Sequence, residues 1–219
     1  MNNVAIGSTI SWVILTLFLL LPFSADVLAN PGPPTPAVGK RVSPPPPVQL
    51  PAAARSSEHL YGLPGLENVG RVTPEIYRGT QPARKGYETL KKMGIRTVIN
   101  LRTSMSEKKH VEAAGMRSIE IPLGTFNNGE REKVDRVVAL LTDPANRPVF
   151  VHCRQGRDRT GIVVAAYRMK VQGWPLTAAE AEMDSFHFND VWVNLRRFLH
   201  RYAAGLDRNG RNGNVAETR

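Results

Sequence analysis

Two periods of apolar spacing alternate along residues 76–204, and the switches between them predict an α/β domain. Thr97-Val98-Ile99-Asn100-Leu101 is a β-branched run, the composition of a strand buried on both faces. Pro148 to His152 encloses the wholly apolar Val149-Phe150-Val151, a second such strand. Shorter strands are predicted at Ile76-Tyr77-Arg78 and over Met116 to Ile121. Between them the spacing is helical. Ala83 to Met93 is closed by Gly94. Ser104 with Glu107 three residues on forms a capping box for a helix to Ala114, ended by Gly115. Arg131 to Leu141 carries apolar residues at 134, 137, 138, 140 and 141. Further helices are predicted over Thr160 to Val171, after a Thr177/Glu180 capping box, and over Val191 to Ala204. The last of these puts Leu195, Phe198, Leu199 and Tyr202 on one face and Arg196, Arg197 and Arg201 on a solvated one, which also suits an anionic membrane surface. Strands alternating with helices imply a central, mainly parallel sheet flanked by helices on both faces.

The pattern breaks at both ends. Ile10 to Phe23 is a nearly unbroken apolar run of 14 residues, short for a spanning helix and suited to a signal-peptide core. Val27-Leu28-Ala29 offers small or modest residues for cleavage, although residues 1–9 contain no Lys or Arg. Residues 1–29 are therefore expected to be a signal peptide or an N-terminal anchor, and the domain to be exported or held facing outward. Residues 30–57 include nine prolines, enough to favour extended polyproline over a packed core, and are expected to be a linker. The folded domain is expected over 58–206, and residues 207–219 read as a polar, disordered tail.

Composition adds two constraints. The formal net charge is +10, which favours anionic partners: phosphorylated substrates, acidic membrane surfaces or nucleic acid. No aromatic-rich motif supports nucleic acid, so that partner is not expected. The chain has one cysteine, so an internal disulfide is excluded, and no Cys/His set has zinc-site spacing. A lone cysteine is usually a small buried hydrophobe. Its surroundings argue for chemistry instead.

Cys153 follows the strand Val149-Phe150-Val151-His152 and precedes a helix, at the strand end where α/β sheets bind ligands. A tight loop opening a helix turns backbone N–H groups inward, and the helix N-terminus adds positive potential. That field holds a phosphate and stabilises a thiolate at Cys153. Five residues, Arg154-Gln155-Gly156-Arg157-Asp158, let the chain curl so that the Arg159 guanidinium returns over the phosphate and forks onto two oxygens. Gly156 permits a backbone conformation closed to residues with a Cβ. The Thr160 hydroxyl is placed to donate to the Cys153 sulfur, and His152 to orient the loop. Each residue alone has an ordinary structural explanation; the conjunction is what points to phosphoryl transfer.

The segment His152-Cys-Arg-Gln-Gly-Arg-Asp-Arg-Thr-Gly161 resembles the signature loop of the protein tyrosine and dual-specificity phosphatase superfamily. The likeness extends upstream through Asn68-Val69-Gly70, Ile76-Tyr77-Arg78-Gly79-Thr80-Gln81-Pro82 and Gly94 to Arg102, which look like the bacterial dual-specificity-like and atypical enzymes. It implies a tyrosine-phosphatase-like fold, a phosphocysteine intermediate on Cys153, phosphoryl binding by Arg159, and no metal or other cofactor.

One part of the family pattern is missing. Such enzymes protonate the leaving oxygen with an aspartate on a loop about 30 residues before the nucleophile, a contribution of roughly 10²–10⁴-fold. Here Ile121 to Glu130 offers Asn127 and Asn128 but no Asp. Three readings stay open: Asp158 donates from within the loop, Glu130 or Glu132 swings in, or the chain binds phosphate with little turnover. Asp158 is the favoured acid, with a scaffold role between two arginines as its alternative. Arg154 and Arg157 match the basic loop positions of enzymes acting on phosphoinositides or inositol phosphates, so those substrates are expected alongside phosphotyrosine. Arg102, just past its strand, is expected at the same sheet edge. Sulfurtransferase loops usually differ in length and lack Arg-Thr-Gly at this spacing, so another thiolate chemistry, sulfur transfer or arsenate reduction, is not expected.

Overall fold

The structure is a computed structural model, and it describes residues 55–124 and 130–216, with side chains to residue 206. The expected segments before residue 55, and Asn127 and Asn128, lie outside the described residues. The elements are β1 (Glu58–Leu60), β2 (Val69–Thr73), β3 (Ile76–Gly79), α1 (Arg84–Lys92), β4 (Thr97–Asn100), α2 (Lys108–Ala113), β5 (Arg117–Glu120), α3 (Glu130–Thr142), a short 3-10 turn (Pro144–Asn146), β6 (Val149–His152), α4 (Asp158–Gln172), α5 (Leu176–Ser185) and α6 (Val193–Ala216).

The strands form one six-stranded sheet in the order β1-β2-β3-β6-β4-β5. β3, β6, β4 and β5 are parallel, and β1 and β2 are antiparallel additions at one edge. The expected α/β architecture is therefore present. β6 lies between β3 and β4, with His152 level with both Gly79 and Asn100. The residues that follow these strands, Thr80, Cys153 and Leu101, consequently emerge along one edge of the sheet.

Successive β6 side chains point to opposite faces. Val149 and Val151 join Ile76, Ile99 and the apolar faces of α3, α4, α5 and α6. Phe150 joins Leu66, Leu90, Val98 and Val111 under α1 and α2. Full burial of each such side chain contributes about 1.5–3 kcal/mol, so this short strand is among the best anchored segments of the fold. α6 buries Leu195, Phe198, Leu199 and Tyr202, as its periodicity predicts.

Four local expectations are corrected. No capping box forms at α2: Glu107 is the N-cap but makes no cap bond, because its side chain is buried and bonded elsewhere. At α5 the N-cap is Pro175, and Glu180 instead binds Arg196 and His200. α4 starts at Asp158, two residues earlier than its apolar pattern implies. α6 continues to Ala216, through residues expected to be disordered tail. Extending a helix that is already nucleated costs far less than starting one.

β1 and β2 escape a hydropathy reading because both are short, and β2 carries Gly70, whose missing side chain leaves room for the Phe186 ring.

Candidate active site

β6 delivers Cys153 to the sheet edge, where the thiol is only 3% exposed, and α4 carries the chain away from it. The loop between is shaped from outside by hydrogen bonds to its carbonyls. The Arg154 carbonyl accepts from the Gln81 N–H at 3.4 Å. The Gln155 carbonyl accepts from Asn68 Nδ2 and Thr80 Oγ1, both at 3.3 Å. The Gly156 carbonyl accepts from Arg78 Nη2 at 2.8 Å. In a planar trans peptide the C=O and the next N–H point in opposite directions. Fixing those three carbonyls outward therefore aims the N–H groups of Gln155, Gly156 and Arg157 inward, beside the N-terminus of α4. The result is the anion-binding concavity expected of a strand-loop-helix turn.

Gly156 is required there twice over. Its φ is +65°, and a Cβ would lie 2.4 Å from the Gly79 carbonyl carbon. The expected role of Gly156 is thus met by geometry, with close approach to β3 as an added reason.

His152 is fully buried and bonded at both nitrogens. Nδ1 lies 3.0 Å from the Cys153 carbonyl, which can only accept, so Nδ1 carries a proton. Nε2 lies 2.5 Å from Glu107 Oε1, and the Tyr87 hydroxyl donates to Glu107 Oε2 at 2.9 Å. Burial, followed by the Glu107 carboxylate, pushes the Tyr87 phenol well above its usual range, so it stays a donor. The imidazole expected to orient the loop is itself held by a carboxylate from the start of α2, and that carboxylate by a phenol from α1.

Arg159 is partly exposed and donates to the Leu101 carbonyl at 3.4 Å. Thr160 Oγ1 is buried and has no hydrogen-bond partner among the described residues, so the expected bond to the Cys153 sulfur is not made here. Asp158 Oδ1 accepts from the Asn189 N–H at 3.0 Å, which ties the loop to the segment between α5 and α6. Arg154 and Gln155 are exposed, and Arg157 lines a groove beside the loop. Arg102 reaches the same sheet edge, where its N–H donates to Asn100 Oδ1. Glu130, at the start of α3, accepts from the Gly124 N–H and from Lys133. Glu132 is exposed. Among the described residues, no cluster of three or more His, Cys, Asp or Glu side chains is placed to hold a metal.

Three site residues carried no role in the sequence reading. Arg78 is fully buried beneath the loop, with its guanidinium 4.0 Å over the Phe186 ring, and burial pulls its pKa down to about 10. Glu107 was absorbed by an apparent capping box. Asn68 holds the Gln155 carbonyl while its backbone takes a positive φ of 46°. The one sequence signal available was an arginine inside an otherwise buried strand.

A buried thiol at the end of a parallel strand, an N–H-lined loop and an arginine on the following helix turn define the phosphate cradle of a cysteine-dependent phosphatase. The sequence profile of the tyrosine phosphatase family matches residues 65–215, and the chain belongs to that family. It is 28% identical over 159 residues to the dual specificity protein phosphatase TpbA of Pseudomonas aeruginosa, across 73% of this chain and 72% of that one. It is 26% identical over 144 residues to the inositol diphosphatase SIW14 of Saccharomyces cerevisiae, across 62% of this chain and 51% of that one. The crystal structure of TpbA with phosphotyrosine superposes with a TM-score of 0.58 at 25% identity, covering 73% of this chain and 94% of that one.

Proposed function

We propose that this chain hydrolyses phosphomonoesters through a phosphocysteine on Cys153. The observation that carries the proposal is the loop from Cys153 to Arg159, whose outward-tied carbonyls leave inward N–H groups around a buried thiol. The Cys153 thiolate attacks phosphorus and forms an S–P bond as the ester P–O bond breaks. The inward N–H groups and Arg159 hold the equatorial oxygens where charge is greatest. Asp158 gives the leaving oxygen its proton from Oδ2 while Asn189 steadies Oδ1. Water then attacks phosphorus, its proton passes to the same carboxylate, and the thiolate leaves with inorganic phosphate as the other product.

The relatives' names support two substrate classes, phosphotyrosine and inositol phosphates. The exposed Arg154 and the rim position of Arg157 favour a multiply phosphorylated ring or phosphoinositide alongside phosphotyrosine. The test is a turnover panel of p-nitrophenyl phosphate, a phosphotyrosine peptide, an alkyl phosphate and an inositol polyphosphate, with Cys153→Ser and Asp158→Asn beside the wild type. Cys153→Ser is expected to be inert; full activity in that variant sinks the mechanism. Asp158→Asn is expected to lose alkyl phosphate turnover about 10²-fold or more and to spare p-nitrophenyl phosphate, whose leaving group needs little protonation. Equal loss on both removes Asp158 as the acid. A wild type that binds phosphate but turns over only p-nitrophenyl phosphate is the result expected of the second reading, a weakly catalytic phosphate-binding protein, which the lack of an Asp over 121–130 favours.

We place this activity outside the cytoplasm, supported by the apolar run Ile10 to Phe23 and the Val27-Leu28-Ala29 segment. An anionic membrane surface is a proposed partner, supported by the net charge and the arginines of α6, and nucleic acid is not. Cell fractionation with N-terminal sequencing tests export: a cytoplasmic chain retaining its first 29 residues removes this placement.

A further inference from the structure

Beside the loop lies a groove of about 470 Å³ whose walls include His59, Tyr61, Asn68, Gln155, Arg157 and His187. It is built from segments far apart in sequence: the β1 edge, the turn between α5 and α6, and the loop itself.

Its wall is continuous with the phosphate cradle. Tyr61 stacks on His59 at 6.1 Å between ring centroids, and His59 stacks on Phe186 at 4.0 Å, each pair within 12° of parallel. Phe186 in turn carries the Arg78 guanidinium that holds the Gly156 carbonyl. Asn68 Nδ2 bridges the Gln155 and Phe186 carbonyls, clamping the groove to the loop. Asn68 and His187 have φ of +46° and +63°, a left-handed conformation that Asn and His adopt more readily than most residues.

The field in the groove has a sign. Burial lowers the His59 pKa, and the positive charges of Arg78 and His187 lower it further, against a weaker opposing effect from Glu182. A negative group placed against His59 relieves that repulsion. The donors suit phosphate: Arg157 offers a planar fork, and each imidazole has an N–H to give even when neutral. Glu67 is the one acidic side chain on the wall.

We propose that this groove binds a second phosphate of a multiply phosphorylated substrate while the scissile phosphate occupies the loop from Cys153 to Arg159. The proposal rests on the phosphatase reading above and adds the residues that select the substrate. The ring bearing the two phosphates has two sources, a soluble inositol polyphosphate or a phosphoinositide headgroup.

The experiment uses the full chain with His59→Phe and His187→Gly, the first keeping a ring to stack on Phe186 and the second tolerating positive φ, and neither side chain able to donate a hydrogen bond. Inositol hexakisphosphate, phosphatidylinositol bisphosphate in phosphatidylcholine vesicles, and p-nitrophenyl phosphate are the substrates. Each variant is expected to raise KM for a polyphosphorylated substrate about tenfold, the worth of one charge-assisted hydrogen bond. The constants for p-nitrophenyl phosphate stay unchanged. A KM effect on the soluble ring identifies the free source, and one confined to vesicles identifies the lipid. Unchanged KM on both, or equal losses on p-nitrophenyl phosphate, overturns the subsite. Binding of inositol hexakisphosphate and of the vesicles to the Cys153→Ser protein, by calorimetry, separates the two claims. If no substrate is turned over, the phosphatase reading fails, yet binding that weakens on adding His59→Phe still upholds the groove. No binding of either, or binding indifferent to both histidines, removes it.

Discussion

Arg78 and Arg168 are both essentially buried, and both lay their guanidinium over an aromatic ring, Phe186 at 4.0 Å and Trp174 at 4.3 Å. Their partners differ. Arg168, on α4, donates through Nε and Nη2 to the two oxygens of Glu182, through Nη1 to Gln172, and through Nη2 to Ser57. Glu182 also accepts the Ser57 N–H, so the network ties the entry of the domain to α5. Arg78, on β3, makes one hydrogen bond among the described residues, to the Gly156 carbonyl, and its Nε and Nη1 have no partner among them. The carboxylate whose field reaches it, Glu182, is already engaged by Arg168. The remaining negative influence on Arg78 is Cys153.

A buried charge without a partner is costly, and a native fold that keeps one is expected to use it. Arg168 is a completed structural network. Arg78 has no such network among the described residues; on the proposed phosphatase reading, its counterpart is the charge of the site, the nucleophile or the phosphate held by the loop. On that reading the same side chain at the same depth serves stability in one region and function in the other, and only the partners tell them apart.

Breaking the two in turn tests that division. Arg168→Met is expected to cost the most, about 3–5 kcal/mol, because it strands Glu182 uncompensated. Denaturant melts measure it, and adding Glu182→Leu should restore most of the loss. Specific activity of the folded fraction should hold. Arg78→Met is expected to do the reverse, lowering kcat/KM by about 10–100-fold, while stability changes little because an unpaired buried charge is removed. A large melt shift with intact activity would make Arg78 a second Arg168.

Glu107→Gln sharpens the contrast from the nucleophile's side. The amide can still accept from Tyr87 but must donate to His152 Nε2, fixing the imidazole neutral with its proton on Nδ1. We expect kcat to fall about tenfold. Nitrogen NMR of labelled histidine checks the tautomer, and an unchanged His152 spectrum would remove the pair from the argument.

The pH dependence of stability follows from Glu182. Burial acts to raise its pKa, but hydrogen bonds and charge from Arg168, with the Ser57 N–H, outweigh it and leave the folded value below the ordinary 4.5. A depressed carboxylate stabilises the fold above its unfolded pKa and loses that contribution as pH falls through the folded one. Thermal melts should therefore drop as pH falls below the ordinary glutamate range, and the Arg168→Met, Glu182→Leu double variant should lack that component. The smallest effect is expected at the exposed Arg71–Glu58 pair on β2 and β1, where solvent screens the attraction and Arg71→Ala should leave the denaturant midpoint nearly unchanged.

Much of this molecule is legible in one dimension. The apolar strand at 149–151, the helical spacing of α3 and α6, and the Cys153-to-Arg159 loop are local patterns, and local patterns survive in sequence because backbone periodicity and loop length depend on neighbouring residues. They determine the α/β class and single out the nucleophile and phosphate arginine proposed here. What they leave open is settled by contacts between distant segments. Glu107 reads as a helix cap until folding brings it against His152, 45 residues away. Arg78 reads as a strand residue until it lies under Gly156, 78 residues away. His59 and His187 have no visible relation until β1 joins the sheet edge and Phe186 stacks between it and the loop. Burial, and the partner a buried group must find, are properties of packing in three dimensions. Only the tertiary structure could decide which charges are spent on the fold and which are kept for the site.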